Sequence, residues 1–290
     1  MSARSTLAAA AALLACAACT GGPTGHPDLS STAVRAPAGS VPRPQHVVVV
    51  VMENHSYSDI VGNRAAPYIN SLVAQGASFT ASFANYHPSQ PNYLVLFSGS
   101  AQGVSNDSCP HTFATSNLGA ALTRAGLTFT GYAEGLPRVG DSTCSAGAYA
   151  RKHAPWTDFS NVAGTASRPF TDFPADYTRL PAVSFVVPDL DNDMHDGSVA
   201  RGDAWLRTHL GGYVTWARAH HSLLVLSWDE DDGSPANHIP TVFVGGDVRA
   251  GRYSEHIDHY RVLRTIEDAF GLVPAGQSAR AAPITDVWKR

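Results

Sequence analysis

Four stretches of this 290-residue chain place carboxylates, amides and histidines directly after apolar, β-branched runs. Glu53-Asn54-His55 follows HVVVVVM from His46, and His87-Pro88-Ser89-Gln90-Pro91-Asn92 follows SFTASFANY from Ser78. Asp189-Leu190-Asp191-Asn192-Asp193-Met194-His195-Asp196 follows LPAVSFVVP from Leu180, and Asp229-Glu230-Asp231-Asp232 follows SLLVLSW from Ser222. Oxygen donors with interspersed imidazoles suit a hard or borderline divalent cation. Singly, each stretch has a plainer explanation: a helix-capping turn for Glu53-Asn54, a solvated acidic loop for Asp229 to Asp232. Four of them, each at a strand end, point to one shared site.

The second stretch also carries a candidate nucleophile. Pro88 and Pro91 bracket Ser89 and Gln90, which predicts an extended entry and then a helix starting near Asn92. Ser89 would then lie beside free N–H groups and the positive end of a helix dipole, a favourable place for an anion. A serine hydroxyl is a poor nucleophile at neutral pH, and a nearby divalent cation would lower its pKa enough for attack on phosphorus. The competing reading of Ser89 is an ordinary helix cap.

The elements that must position these residues follow from the apolar pattern. The four runs above, IPTVFVGG from Ile239 and a shorter run, LTFTGYAE from Leu127, have the composition of strands buried on both faces. Helices are predicted over 66–75, 92–97, 117–125, 201–219 and 260–270. Strands alternating with helices give an α/β fold, a mostly parallel sheet covered on both faces, with its site at the carboxyl ends of the strands. One domain is expected from residue 45 to 290.

Composition narrows the function classes. With 44% hydrophobic and 15% charged residues the chain has material for one large core, and a net charge of −4 offers no basic surface for a nucleic-acid backbone. No protein partner is indicated. Residues 1–18 hold Arg4 and an Ala/Leu run from Leu7 to Ala15, too short to span a bilayer, which reads as an export signal. Leu13-Leu14-Ala15-Cys16 resembles a bacterial lipobox, so Cys16, or less simply Cys19, is the expected lipidation site; cleavage after Ala17 is the competing reading. Residues 19–44 would be a flexible tether, placing the domain outside the cytoplasm, either membrane-anchored or secreted. In that compartment Cys109 and Cys144 are expected to form a disulfide, the alternative being two free buried thiols.

The segments ENHSYSDIVG, APYINSLVAQGASF, HPSQPNYLVLFSGSAQGVSNDSCP, NDMHDGS, WDEDDG and HYRVLRTIEDAFGL together resemble the bacterial phosphoesterase family. That family includes secreted mycobacterial acid phosphatases and phospholipases C, and belongs to the alkaline phosphatase superfamily. The likeness runs from about Val47 to Leu272 and implies an alkaline-phosphatase-like three-layer sandwich. It implies that Glu53, Asn54, Asp229 and Glu230 bind a metal together with the Ser89 oxygen, and that Ser89 forms a phosphoseryl intermediate. Asn92 would stabilise a nonbridging phosphate oxygen, and His87, His195, His238 and His259 would serve proton transfer or a second metal. Asp191, Asp193, His195 and His259 are the candidates for that second metal, although one metal is expected rather than two. Tyr93 stands where a sulfatase would carry arginine, which argues against sulfatase chemistry. The resulting expectation is a metal-dependent phosphomonoesterase acting on a small phosphorylated substrate, including lipid phosphates. The alternatives are a phosphodiesterase or phospholipase C, and a noncatalytic cation-binding surface lipoprotein.

Overall fold

The run Val47–Met52 offers no polar side chain to either face, and all six residues are at most 1% exposed in strand β1 of the computed structural model, which describes residues 41–289. Val47, Val49 and Val51 enter one core while Val48, Val50 and Met52 enter another on the opposite face. Full burial of each such side chain contributes roughly 1.5–3 kcal/mol, so the run is stable only as a central strand.

The remaining strands are β2 (Ala77–Phe79), β3 (Ser82–Phe83), β4 (Phe129–Ala133), β5 (Ser145–Ala146), β6 (Tyr149–Ala150) and β7 (Ser167–Pro169). They continue as β8 (Val183–Val187), β9 (Leu223–Trp228), β10 (Thr241–Gly245), β11 (Gly251–Tyr253) and β12 (Ile257–Asp258). The α-helices are α1 (Tyr57–Ile60), α2 (Pro67–Gln75), α3 (Ser89–Ser98), α4 (Leu118–Arg124), α5 (Val199–Ala219) and α6 (His259–Ala269). Eight strands form the main sheet in the order β11-β2-β10-β9-β1-β8-β4-β7. Helices α3, α4 and α6 supply Leu94, Leu122 and Leu263 to one core, and α2 and α5 supply Leu72 and Leu210 to the other. This is the expected three-layer α/β sandwich.

Parallel pairing joins β8, β1 and β9, whereas β10 runs antiparallel to both β9 and β2. The carboxyl ends of β1, β2, β8 and β9 therefore share one edge, and that of β10 points away. Two details differ from the sequence expectation. The run from Ser78 splits into β2 and β3 because the chain leaves the main sheet after Phe79 to pair with β12. Helix α3 starts at Ser89 itself, with Pro88 as cap and Pro91 in the first turn, where a missing N–H costs nothing.

The signal region, residues 1–18, and both candidate lipidation sites, Cys16 and Cys19, lie outside the described residues. At the end of the stretch expected to be a tether, Pro44 is buried, Val41 packs on the core and Arg43 lies over the Phe270 ring. Among the described residues no helix is long and apolar enough to cross a membrane.

Candidate active site

Strand β1 delivers Glu53 into the protein interior, fully buried, and its N–H donates to the Asp193 carbonyl at 2.9 Å. Asn54 follows in a left-handed conformation (φ 56°), which asparagine tolerates better than most residues, and donates its N–H to Asp229 Oδ1 at 3.2 Å. The adjacent β9 extends to Asp229, whose N–H bonds the Met52 carbonyl at 2.9 Å. Strand pairing thus draws together acids 176 positions apart.

Ser89, 2% exposed at the first position of α3, lies between two of these carboxylates. Its Oγ is 3.1 Å from Glu53 Oε2 and 3.1 Å from Glu230 Oε1. One hydroxyl proton cannot serve both oxygens at once, so the serine oxygen sits in a pocket shaped for positive charge. On the outer side Glu230 pairs with His87 Nδ1, while His87 Nε2 is 3.1 Å from the Ser234 carbonyl. Burial works to lower the His87 pKa but is outweighed by its bonds to Glu230 and Ser234 and by the charges of Glu230 and Asp231; the net direction is up.

A deeper layer lies behind Glu53. Tyr93 donates its hydroxyl to Glu53 Oε1, and His153 Nε2 is 3.2 Å from the same oxygen. His153 Nδ1 is 3.4 Å from Asp193 Oδ2. One atom each from Glu53, His153 and Asp193 lie within 4.8 Å of one another, all buried. His153 Nε2, Asp193 Oδ2 and Asp229 Oδ2 are buried without a hydrogen-bond partner. Burial, then repulsion from Asp229 and Asp193, drives the Glu53 carboxyl well above its usual range; burial, then Glu230, does the same to Asp229. Asp193 is raised to about 7, chiefly by burial. Burial, then Lys152, holds His153 well below its usual pKa, so its imidazole is neutral and able to coordinate. Two buried acids with an orphaned oxygen each, Asp193 and Asp229, together with Glu53 and a neutral histidine, fit a divalent cation, which would satisfy the orphaned atoms and offset the repulsion.

The other expected residues divide. Asn92 accepts from the Asn85 and Tyr86 N–H groups at 3.1 and 2.9 Å, and its Nδ2 contacts the Tyr86 and Pro88 carbonyls at 2.8 and 3.4 Å. It thereby shapes the loop leading to Ser89. His259 is buried with Nε2 2.7 Å from the Asp229 carbonyl, and His238 Nε2 is 3.1 Å from the Thr80 carbonyl with its ring stacked on Tyr57 and Phe83. His195 lies at the rim, its Nδ1 2.7 Å from Asp196 and its ring centroid 5.9 Å from that of His153.

The candidate second-metal set does not assemble. Asp191 is half-buried and pairs with Arg201 at 3.1 Å, and His259 is committed to a backbone carbonyl. Met194 at φ 83° turns the loop between Asp193, which faces inward, and the half-exposed His195. Of this set Asp193 alone joins the group at Glu53, in company with His153.

His153 is the site residue that strand-end reasoning missed, because it belongs to a 3₁₀ turn, Arg151–His153, with no apolar run before it. The turn is seated by Trp156, whose ring packs so tightly over Gly131 of β4 that a Cβ there would lie 2.1 Å from it. It is also tied down by the Cys109–Cys144 disulfide, since the Cys144 carbonyl accepts the Arg151 N–H at 3.0 Å.

Comparison with known proteins identifies the family. The model of the Phosphoesterase family matches residues 62–273, a span that holds Ser89, His153, Asp193, Asp229 and Glu230. A phosphatidylinositol-3-phosphatase of Mycobacterium tuberculosis is 55% identical over 254 residues, covering 87% of this chain and 85% of its own length. An acid phosphatase of Aspergillus fumigatus is 27% identical over 82% of this chain, but over only 57% of its own length. Among solved structures, an alkaline phosphatase superfamily protein from Vibrio parahaemolyticus superimposes with a TM-score of 0.58 at 12% identity, over 81% of this chain and 68% of its own. A lipoteichoic acid synthase from Listeria monocytogenes gives 0.57 at 11% identity, over 83% and 76%. Those two likenesses concern the fold. With its family model spanning most of the domain and a phosphatase identical at more than half of the aligned positions, the chain belongs to the phosphoesterase family and is a hydrolase of phosphoric esters.

Proposed function

We propose that the protein is a metal-dependent phosphomonoesterase that works through a phosphoserine at Ser89 and accepts phosphoinositides among its substrates. The observation that carries this reading is the Ser89 oxygen held 3.1 Å from both Glu53 and Glu230 at the start of a ten-residue helix. A divalent cation held by Glu53, His153 and Asp193, with Asp229 beside them, would supply the charge that lowers the serine pKa and draws electrons from phosphorus. Glu230 accepts the Ser89 proton, for which its raised, burial-driven pKa suits it. The Ser89 oxygen bonds to phosphorus as the ester oxygen leaves, and water later cleaves the phosphoseryl bond to return free phosphate. His87 and His195 have part-exposed rings near the rim, whereas His259 is buried, and either would protonate the leaving alkoxide.

Activity on phosphoinositides is supported by the name of the mycobacterial relative. The export signal and the lipid anchor at Cys16 or Cys19 remain part of the proposal; they would bring the site to a membrane surface where such lipids are found. Family membership sets aside the noncatalytic reading, and monoester cleavage is favoured over diester cleavage by the phosphatase names of the relatives. Release of phosphate from an aryl phosphate and from phosphatidylinositol 3-phosphate, with and without chelator, tests the reading. Ser89→Ala should abolish both activities while the thermal transition stays in place; a variant that still turns over at the wild-type rate contradicts it.

A further inference from the structure

The acidic site has a single lysine beside it. Lys152 and Lys289 are the only lysines in the sequence, and Lys152 immediately precedes His153. Its side chain is 19% exposed, and its Nζ lies 2.8 Å from Asp107 Oδ2. The other oxygen of that carboxylate accepts the backbone N–H of Gln90 at 3.0 Å. Gln90 directly follows Ser89, so the ammonium and a first-turn N–H of α3 already grip one anion next to the nucleophile. The neighbouring Arg151 is not available for this task. It is buried and spends its guanidinium on the Ser142 and Thr157 carbonyls and on Asp158, at 2.8, 2.9 and 3.0 Å.

Charge balance gives Lys152 a purpose. A phosphate monoester arrives as a dianion at a site lined by Glu53, Asp193, Asp229 and Glu230, and one divalent cation cannot neutralise both the acids and the substrate.

We propose that Lys152 is the phosphate-recognition residue of this site: its ammonium exchanges the Asp107 carboxylate for substrate and donates to a nonbridging oxygen of the phosphoryl group at Ser89. The proposal rests on the phosphomonoesterase reading above. It distinguishes Lys152 from a structural tie, in which the pair with Asp107 would only fasten the 3₁₀ turn to α3. A structural tie needs both partners equally, whereas an anion receptor loses its cation with Lys152 and loses only a competing anion with Asp107.

The test uses the full chain with its divalent metal, an aryl phosphate as substrate and inorganic phosphate as competitive inhibitor. Lys152→Gln should weaken phosphate inhibition and raise KM on the order of ten- to hundredfold, the value of one hydrogen bond to a charged group. Asp107→Asn should leave phosphate inhibition as strong as wild type or stronger. Unchanged inhibition in Lys152→Gln, or equal weakening in both variants, overturns the proposal while wild-type turnover keeps the phosphatase reading intact. Should Lys152→Gln fail to fold, Asp107→Asn decides alone: retained inhibition supports the anion receptor and weakened inhibition overturns it. A wild-type protein that does not hydrolyse the ester at all overturns the phosphatase reading, and this proposal with it.

Discussion

Replacing Tyr93 by phenylalanine deletes one oxygen from a fully packed position and should weaken the site's hold on the proposed divalent cation without disturbing the fold. The Tyr93 ring is 1% exposed and stacks on His153 with centroids 4.9 Å apart, contacts that phenylalanine retains. What is lost is the hydroxyl bonded to Glu53 Oε1. Burial, then the Glu53 charge, holds that phenol well above its usual pKa, so it serves as a donor throughout the working range. A hydrogen bond to a charged group is worth about 1.5–3 kcal/mol, and loss of a partner that orients a metal ligand typically costs about 10–100-fold in affinity. The two figures agree, so the metal concentration for half-maximal activity should rise roughly 10–100-fold. The sign of the pH effect is also fixed. Burial and then the neighbouring acids raise the Glu53 pKa while Tyr93 lowers it, so the variant carboxyl is protonated at higher pH and gives up its metal sooner as pH falls. The assay is reactivation of chelator-treated enzyme by graded metal at two pH values, with a thermal melt as control. An unchanged half-saturation point in a correctly folded variant would refute the role given to Glu53.

Two further predictions concern stability. Glu267, buried on α6, accepts from the Ala275 N–H at 2.7 Å and from Ser278 Oγ at 2.6 Å, and burial raises its pKa to about 7. The folded protein therefore binds a proton that the unfolded chain has already released between about pH 4.5 and 7. Its contribution is fullest below the unfolded pKa and falls by about 3 kcal/mol as pH rises through 7. Glu267→Gln, which mimics the protonated acid, should flatten that slope and melt higher than wild type at pH 8; an unaltered slope argues against the assignment. Opening Cys109–Cys144, which closes a span of 35 residues, should cost roughly 3–4 kcal/mol of stability in the chain-entropy account, read as a lower denaturant midpoint. The same bridge ties the loop of Asp107 to the turn of His153, so Cys109→Ser with Cys144→Ser should also weaken metal activation; equal activation curves would show that the turn holds without it.

Much of this architecture was legible because its signals are local. An uninterrupted valine run can be stable only where both faces are covered, and β1, β8 and β9 deliver Glu53, Asp193 and Asp229 to one edge as their sequences imply. What escaped depends on chain geometry that spacing does not encode. His153 and Lys152 reach the site from a turn seated by a Gly131–Trp156 contact and a disulfide, and Tyr93 reaches Glu53 because α3 begins at Ser89. Asp191 and His195 are candidates for a second metal on the family resemblance, but the left-handed Met194 and the Arg201 ion pair turn that loop into a different arrangement. His238 and His259 stand near the site in sequence motifs, yet each is spent on a main-chain carbonyl, a partner that sequence alone does not reveal.

The central claim, that the position-89 oxygen attacks phosphorus, is tested most directly by acid-quenching the metal-loaded enzyme during turnover and mapping phosphopeptides by mass. The account predicts one phosphate on the peptide containing Ser89, absent in Ser89→Ala and after substrate is exhausted. Steady turnover with phosphate trapped on another residue, or on none under conditions that preserve phosphoserine, would contradict it.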